Sequence, residues 1–226
     1  MAYILHIEST STVCSIALSD KDTLIAVKEL NNGYTHAENL HLFIQDVLKE
    51  AGITAHQLNA ISVSKGPGSY TGLRIGFSAA KGLAYSLQIP LITIDTLQAL
   101  TVMALKKTSA DALYCPMLDA RRMEVYCAMY TQHLEELLPV NAMVLDEESI
   151  KPFAKKEAVY FFGDGMPKAK TLLSSLPNAH FIEDITASAI ALINLAWQKH
   201  QRKEFADTAY AEPNYLKEFF FTSAKK

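Results

Sequence analysis

Lys65-Gly66-Pro67-Gly68-Ser69-Tyr70-Thr71-Gly72-Leu73-Arg74-Ile75-Gly76 places a glycine-proline-glycine turn directly in front of a helix that itself carries glycines. The turn lets backbone pass close to a ligand or to another chain. Gly72, Gly76 and Gly82 each cost the helix about 1 kcal/mol relative to alanine, so something has to offset that cost. The loop is not a Walker A motif, because Gly72 is followed by Leu73-Arg74 where a lysine and a hydroxyl would meet phosphates and magnesium. Ser69 lies in Gly-Ser-Tyr, lacks the Gly-x-Ser-x-Gly elbow of a hydrolase, and reads as a turn or cap residue.

Working outward from this turn, the first hundred residues read as strands over 3–8, 12–19 and 22–30, a helix over 36–51, a strand over 59–64 and a helix over 70–88. After the polar stretch Lys106-Lys107-Thr108-Ser109 the order begins again. Strands are expected over 113–118, 122–130 and 137–145, then a helix over 147–155, a strand over 158–163 and helices over 166–175 and 187–200. An acid closes the first strand of each half, Glu8 and then Asp119, and a Gly-x-Gly follows the fourth, Gly66-Pro67-Gly68 and Gly163-Asp164-Gly165. The economical reading is an α/β protein of two RNase H-like lobes of the actin, Hsp70 and sugar-kinase type. The expected division is 1–108 for the first lobe, 109–200 for the second, and 201–226 for a segment that returns to the first lobe or docks on a partner. Glu8, Asp119 and Asp164 are the candidate cleft acids.

Thr35 and Glu38 form a capping-box pattern for the first long helix. Leu40, Phe43, Ile44, Val47, Leu48 and Ala51 then recur at spacings of three and four. His36 and His41 are five apart and point about 140° away from each other, which is poor geometry for a shared metal. On the second long helix, apolar and small residues cover roughly 220° of arc at 100° per residue, more than one sheet needs. The excess should meet a second surface, either a partner or this chain's own lobe or neighbouring helix. The apolar cluster Tyr215, Leu216 and Phe219-Phe220-Phe221 poses the same choice.

The 226 residues are half hydrophobic and a fifth charged, the profile of a globular protein with room for two cores. A net charge of -3 argues against holding nucleic acid by the field of the whole chain, and the pairs Lys106-Lys107, Arg121-Arg122 and Lys155-Lys156 read as solvated surface. Cys14, Cys115 and Cys127 have neither disulfide nor zinc spacing. With no signal core and no membrane-length apolar run, a cytoplasmic location is expected.

Taken together, Ile4-Leu5-His6-Ile7-Glu8-Ser9-Thr10, Thr35-His36, the Gly66–Gly76 run, Lys81-Gly82-Leu83-Ala84, Asp119-Ala120-Arg121-Arg122 and Pro213-Asn214-Tyr215-Leu216 resemble the TsaB (YeaZ) family over nearly the whole chain. The resemblance implies an actin-like fold and a non-catalytic part in installing threonylcarbamoyl on N6 of adenosine 37 in tRNAs reading ANN codons. It implies pairing with TsaD, the paralogue that carries the catalytic metal site, with the small ATPase TsaE joining the pair, and homodimers through an overlapping surface. ATP is used by the complex, tRNA is met mainly through it, and no cofactor, metal or catalytic residue is assigned to this chain. The implied interface lies on the two long helices, with His36, Leu40, Tyr70, Gly72, Leu73, Gly76, Ala79, Ala80 and Leu83 as candidates and Tyr215 and Leu216 as a tail contact. The sequence departs from the family pattern at Glu8 (usually aspartate), Tyr70 (usually phenylalanine) and Lys217 (usually arginine). The competing functions are an ATP-dependent phosphotransferase working in the cleft, motivated by its acids and glycine turns, and a metallopeptidase-like relative.

Overall fold

The computed structural model describes residues 1–33, 36–108 and 110–216. Thr35 of the capping box, the boundary residue Ser109 and the tail from Lys217 through Phe219-Phe220-Phe221 to Lys226 lie outside the described residues.

Two five-stranded mixed sheets share one topology. In the first, β1 (Tyr3–Glu8), β2 (Val13–Asp20) and β3 (Thr23–Asn31) form an antiparallel meander, and β4 (Leu58–Ser64) and β5 (Leu91–Ile94) add in parallel, giving the order β3-β2-β1-β4-β5. The second repeats it with β6 (Leu113–Asp119), β7 (Glu124–Thr131), β8 (Glu136–Val144), β9 (Val159–Phe162) and β10 (Ala179–Ile182), in the order β8-β7-β6-β9-β10. This is the fold class expected from the repeated element order.

Helices α1 (His36–Glu50) and α2 (Tyr70–Leu87) cover one face of the first sheet, burying Leu40, Ile44, Val47, Phe77, Ala80 and Ala84 against Leu5, Ile7 and Val63. Ser69 caps α2, its hydroxyl accepting from Gly72 N at 3.3 Å, and Gln88 closes the helix in the left-handed conformation. α4 (Met166–Leu173) buries Met166, Ala169 and Leu173 on the outer face of the second sheet.

The inner faces are covered crosswise. α3 (Thr96–Leu105) is capped by Asp95 and lays Leu97, Leu100 and Ala104 on Tyr114, Leu118, Tyr130 and Phe162 of the second sheet. α5 (Leu192–Arg202) lays Leu192, Leu195 and Ala196 on Ile4, Ala60, Ile92 and Ile94 of the first sheet. A division at residue 108 or 200 therefore follows the chain but not the packing. Residues 203–216 run back over the first lobe: Ala206 N donates to Leu91 O at 2.8 Å, and Asn214 N donates to Lys65 O at 2.6 Å.

One expected element is absent. In place of a helix over 147–155 the chain makes a turn and a single 3-10 turn, Lys151–Phe153. Asp146 and Ser149 exchange side-chain bonds with each other's amides at 3.0 and 2.7 Å, a local alternative to the helix ladder. Pro152 then removes a donor.

The helix glycines divide sharply. A Cβ on Gly72 would overlap Ser9 O, and one on Gly76 would overlap Ser9 Oγ and crowd Ile7, whereas a Cβ on Gly82 meets nothing within 4 Å. Gly82→Ala is therefore expected to raise stability by about 1 kcal/mol through helix propensity and a less flexible unfolded chain. Gly76→Ala should lower it by about 1–3 kcal/mol through overpacking. Urea midpoints of the two variants against the parent check both signs.

Candidate functional site

Strand alternation puts Ile4, His6 and Glu8 on the inner face of the first sheet, and the register sets Ser19, Ala17 and Ser15 of β2 and Ala60 and Ser62 of β4 beside them. These small neighbours leave room for α5 and the 3-10 turn Ala189–Ala191 that precedes it. His6 is fully buried, with Nε2 2.8 Å from Ser19 Oγ and Nδ1 2.7 Å from Ser62 Oγ. The Ser19 hydroxyl donates to Lys21 O at 2.9 Å, so it accepts from His6 Nε2–H, and Nδ1 accepts from Ser62. Burial among neutral partners lowers the imidazole pKa to about 3.

Glu8 is also fully buried. Its Oε1 accepts from Thr10 N at 2.7 Å and Thr10 Oγ1 at 2.5 Å, and its Oε2 accepts from the Ser64 hydroxyl. Burial pushes its pKa up, while these bonds and the nearby His36 pull the other way. The carboxyl thus folds the chain after β1 into a tight turn. That turn presents Thr10 O to Ser69 N at 2.6 Å and sends the Ser9 hydroxyl to Gly72 O at 2.9 Å. Gly68, at φ +158, lies so close to Thr10 O that a Cβ there would overlap it. The glycine turn and the glycine face of α2 are shaped to receive this chain's own backbone. His36 joins the assembly from α1, its Nε2 2.8 Å from Ser11 O.

The matching position in the second lobe is open. Asp119 is exposed, accepts from Arg121 N at 2.9 Å and pairs with Lys168. Lys168 Nζ also donates to Arg122 O at 2.9 Å, and Asp119 N donates to Asp164 Oδ1 at 2.9 Å. Asp164 is exposed, and the protein packed about its carboxyl together with the charge of Asp119 raises its pKa. The tip of this hairpin holds Arg121 at φ 66 and Arg122 at φ 50, left-handed conformations that disfavour side chains by roughly 1–2 kcal/mol each.

The three sequence-predicted acids do not converge. The crevice between the lobes is lined by Ser11, Thr12 and Val13 on one side and Leu118, Asp164 and the segment 185–187 on the other, with neither Glu8 nor Asp119 in its wall. Its volume of about 30 Å³ is roughly that of one water, whereas sites for small molecules span roughly 300–1,000 Å³. Among the described residues, no three histidine, cysteine, aspartate or glutamate side chains gather as a metal site. No described helix is long and apolar enough to cross a membrane.

The helix-pair candidates separate by depth. His36, Leu40, Gly72, Leu73, Gly76 and Ala80 are buried within this chain. The expectation that Gly72 and Gly76 admit another chain's backbone is therefore corrected: the backbone they admit is Ser9, and a long side chain at Gly76 would disrupt the fold itself. Tyr70, Ala79 and Leu83 are partly exposed, as are Ile75 on α2 and Phe43 on α1, and Leu42 on α1 is exposed. Part of the surplus arc of α2 is covered from within. Lys81 Nζ donates to Ala209 O at 3.0 Å and Ala211 O at 2.9 Å, and the Tyr215 ring meets Tyr70 at 5.1 Å, with the Arg74 guanidinium 4.1 Å from the Tyr70 ring centre. Leu216 is half-buried at the end of the described segment.

Sequence reasoning missed Ser9, Thr10, Ser64 and Lys168 as the groups that organise both acids. An acid followed by Ser-Thr at a strand end was the available signal for the first pair. Ser64 and Lys168 come from distant elements, and nothing local announces them.

Fold and site define a two-lobed protein of actin and sugar-kinase architecture whose inner cleft is occupied by its own helices and turns. The family model described as "TsaD: tRNA N6-adenosine threonylcarbamoyltransferase" matches residues 32–218. The tRNA threonylcarbamoyladenosine biosynthesis protein TsaB of Bacillus subtilis is 32% identical over 95% of this chain and 93% of its own. The solved structure of YeaZ from Pseudomonas aeruginosa superposes with a TM-score of 0.80 at 28% identity, over 96% of this chain and 100% of that one. The activator of 2-hydroxyisocaproyl-CoA dehydratase from Clostridium difficile, solved with bound ADPNP, shares the fold at a TM-score of 0.52 and 10% identity, over 91% of this chain and 98% of that one. The chain belongs to the TsaB family of tRNA threonylcarbamoyladenosine biosynthesis proteins.

His6 gives this site a pH signature. Its ionisation is disfavoured in the fold, so its contribution to stability is complete above the ordinary value of 6.5 and is lost progressively as pH falls toward about 3. Glu8 works with the opposite sign: a raised folded pKa stabilises at low pH, and that contribution is lost as pH rises through the folded value. The difference in stability between the parent and His6→Gln isolates the histidine. It is expected to shrink by about 1.4 kcal/mol per pH unit below 6.5, read from urea midpoints between pH 7 and 4.5.

Proposed function

We propose that this chain is a non-catalytic subunit required for threonylcarbamoylation of N6 of adenosine 37 in tRNAs reading ANN codons, and that it scaffolds and activates a TsaD-type transferase of related fold. The observation that carries this reading is the closed cleft. Glu8 is enclosed and hydrogen-bonded within its own lobe, and the crevice beside Asp164 has the volume of about one water. With this crevice so narrow, the reading places the chain's action at its surface.

The surface that fits is the α1–α2 face, where the partly exposed Ile75, Ala79 and Leu83 recur at a spacing of four on α2 with the exposed Gly82 among them, and Leu42 is exposed on α1. The match of the transferase family to this chain supports a like-folded partner. In this reading the same face serves homodimers, a TsaE-type ATPase joins the pair, and ATP is used by the complex. The tRNA is met mainly through the transferase, in the cytoplasm.

Gly82→Arg tests the face without touching the core, since Gly82 is exposed and a Cβ there meets nothing within 4 Å. The variant should melt no lower than the parent and yet bind the transferase about 100-fold more weakly, the scale of a disrupted interface centre. It should also fail to restore modified adenosine in a reconstitution with each chain omitted in turn. Co-elution of the variant with the transferase at parental affinity would remove this face from the proposal.

A further inference from the structure

We propose that the Arg121-Arg122 tip of the β6–β7 hairpin is a phosphate contact through which this chain itself touches RNA. The tip breaks a local rule. Left-handed backbone favours glycine or asparagine, yet here two successive loop positions carry arginine, at φ 66 and φ 50. The turn is held in that shape from below: Asp119 accepts from Arg121 N, Lys168 joins Asp119 to Arg122 O, and Glu124 N closes the loop on Arg121 O at 3.2 Å. A sequence that keeps side chains where glycine fits better, on a braced turn, has a use for those side chains.

Their surroundings indicate the use. Both arginines are exposed, and among the described residues no carboxylate lies within ion-pairing distance of either guanidinium. Asp119, two residues before Arg121, is engaged by Lys168. By contrast Lys28, Lys151, Lys170 and Arg202 each meet a carboxylate. Two adjacent planar forks without counterions fit the paired oxygens of phosphodiesters. The overall charge of -3 confines such a contact to the tip. It positions an RNA backbone without reading sequence. Unlike Lys106-Lys107 and Lys155-Lys156, Arg121-Arg122 sits on a left-handed turn braced from below. The choice of RNA among phosphate-bearing molecules rests on the proposed place in tRNA modification.

The test is the double variant Arg121→Asn, Arg122→Gly, which removes both guanidiniums while giving the turn the residues its backbone prefers. Fluorescence anisotropy with unmodified tRNA is read on the complex with the transferase between about 50 and 200 mM salt. The variant should bind about tenfold more weakly, with a salt slope shallower by about two, and should melt no lower than the parent. Arg121→Lys, Arg122→Lys should recover most of the slope. Unchanged affinity and slope in the Asn-Gly variant overturn the proposal. So does an affinity loss that only follows lost co-elution with the transferase, because the tip is then a protein contact. If the parent chain itself fails to co-elute, the proposed function falls, and the same titration on the chain alone decides the tip.

Discussion

The first lobe depends on one close approach, the passage of the Ser9-Thr10 turn across the glycine face of α2. Glu8 bends the chain into that turn, Thr10 O takes the amide of Ser69, and Ser9 fills the space that side chains at Gly72 and Gly76 would occupy. The same contact fixes where α2 begins and how deeply it sits on β1. A buried carboxyl is costly unless its oxygens are engaged; here both are, by Thr10 and Ser64.

The two lobes show what one topology does under different demands. At the end of the first strand, one lobe buries its acid and uses it as a structural tie, and the other leaves its acid at the surface, bonded to a hairpin and a lysine. The glycine turns keep a common purpose, since Gly163 and Gly165 approach the backbone of β6 as Gly68 approaches Thr10. The sheets share one topology, and the different use of their acids leaves the halves without a symmetric cleft.

Much of the fold was legible in the sequence because strands and glycine turns leave local marks. The repeated order, the acids at strand ends and the two Gly-x-Gly turns were enough to call two like lobes. What escaped notice was α3, for a physical reason. Leu97, Leu100 and Ala104 face one sheet while Ala99, Val102 and Met103 face the other side of the cleft, so the helix is apolar all round and lacks a period to read. β5 and β10 are four residues each and rest on neighbours more than on pattern. The glycines of α2 were recognised as close-contact positions, but the sequence could not say that the approaching chain was its own residue 9. The surplus arc of α2 misled similarly, since Lys81 and Tyr70 hold the returning segment 206–215 against it.

The crossed helices carry a consequence for the molecule as a mechanical object. Because α3 leaves the first half to roof the second sheet, and α5 leaves the second half to roof the first, neither half covers the inner face of its own sheet. Severed near residue 108, the amino-terminal piece would expose the inner face of its sheet and hold an orphan apolar helix in water. The chain is two lobes in shape, interlocked like clasped hands, each lending the helix that covers the other's sheet.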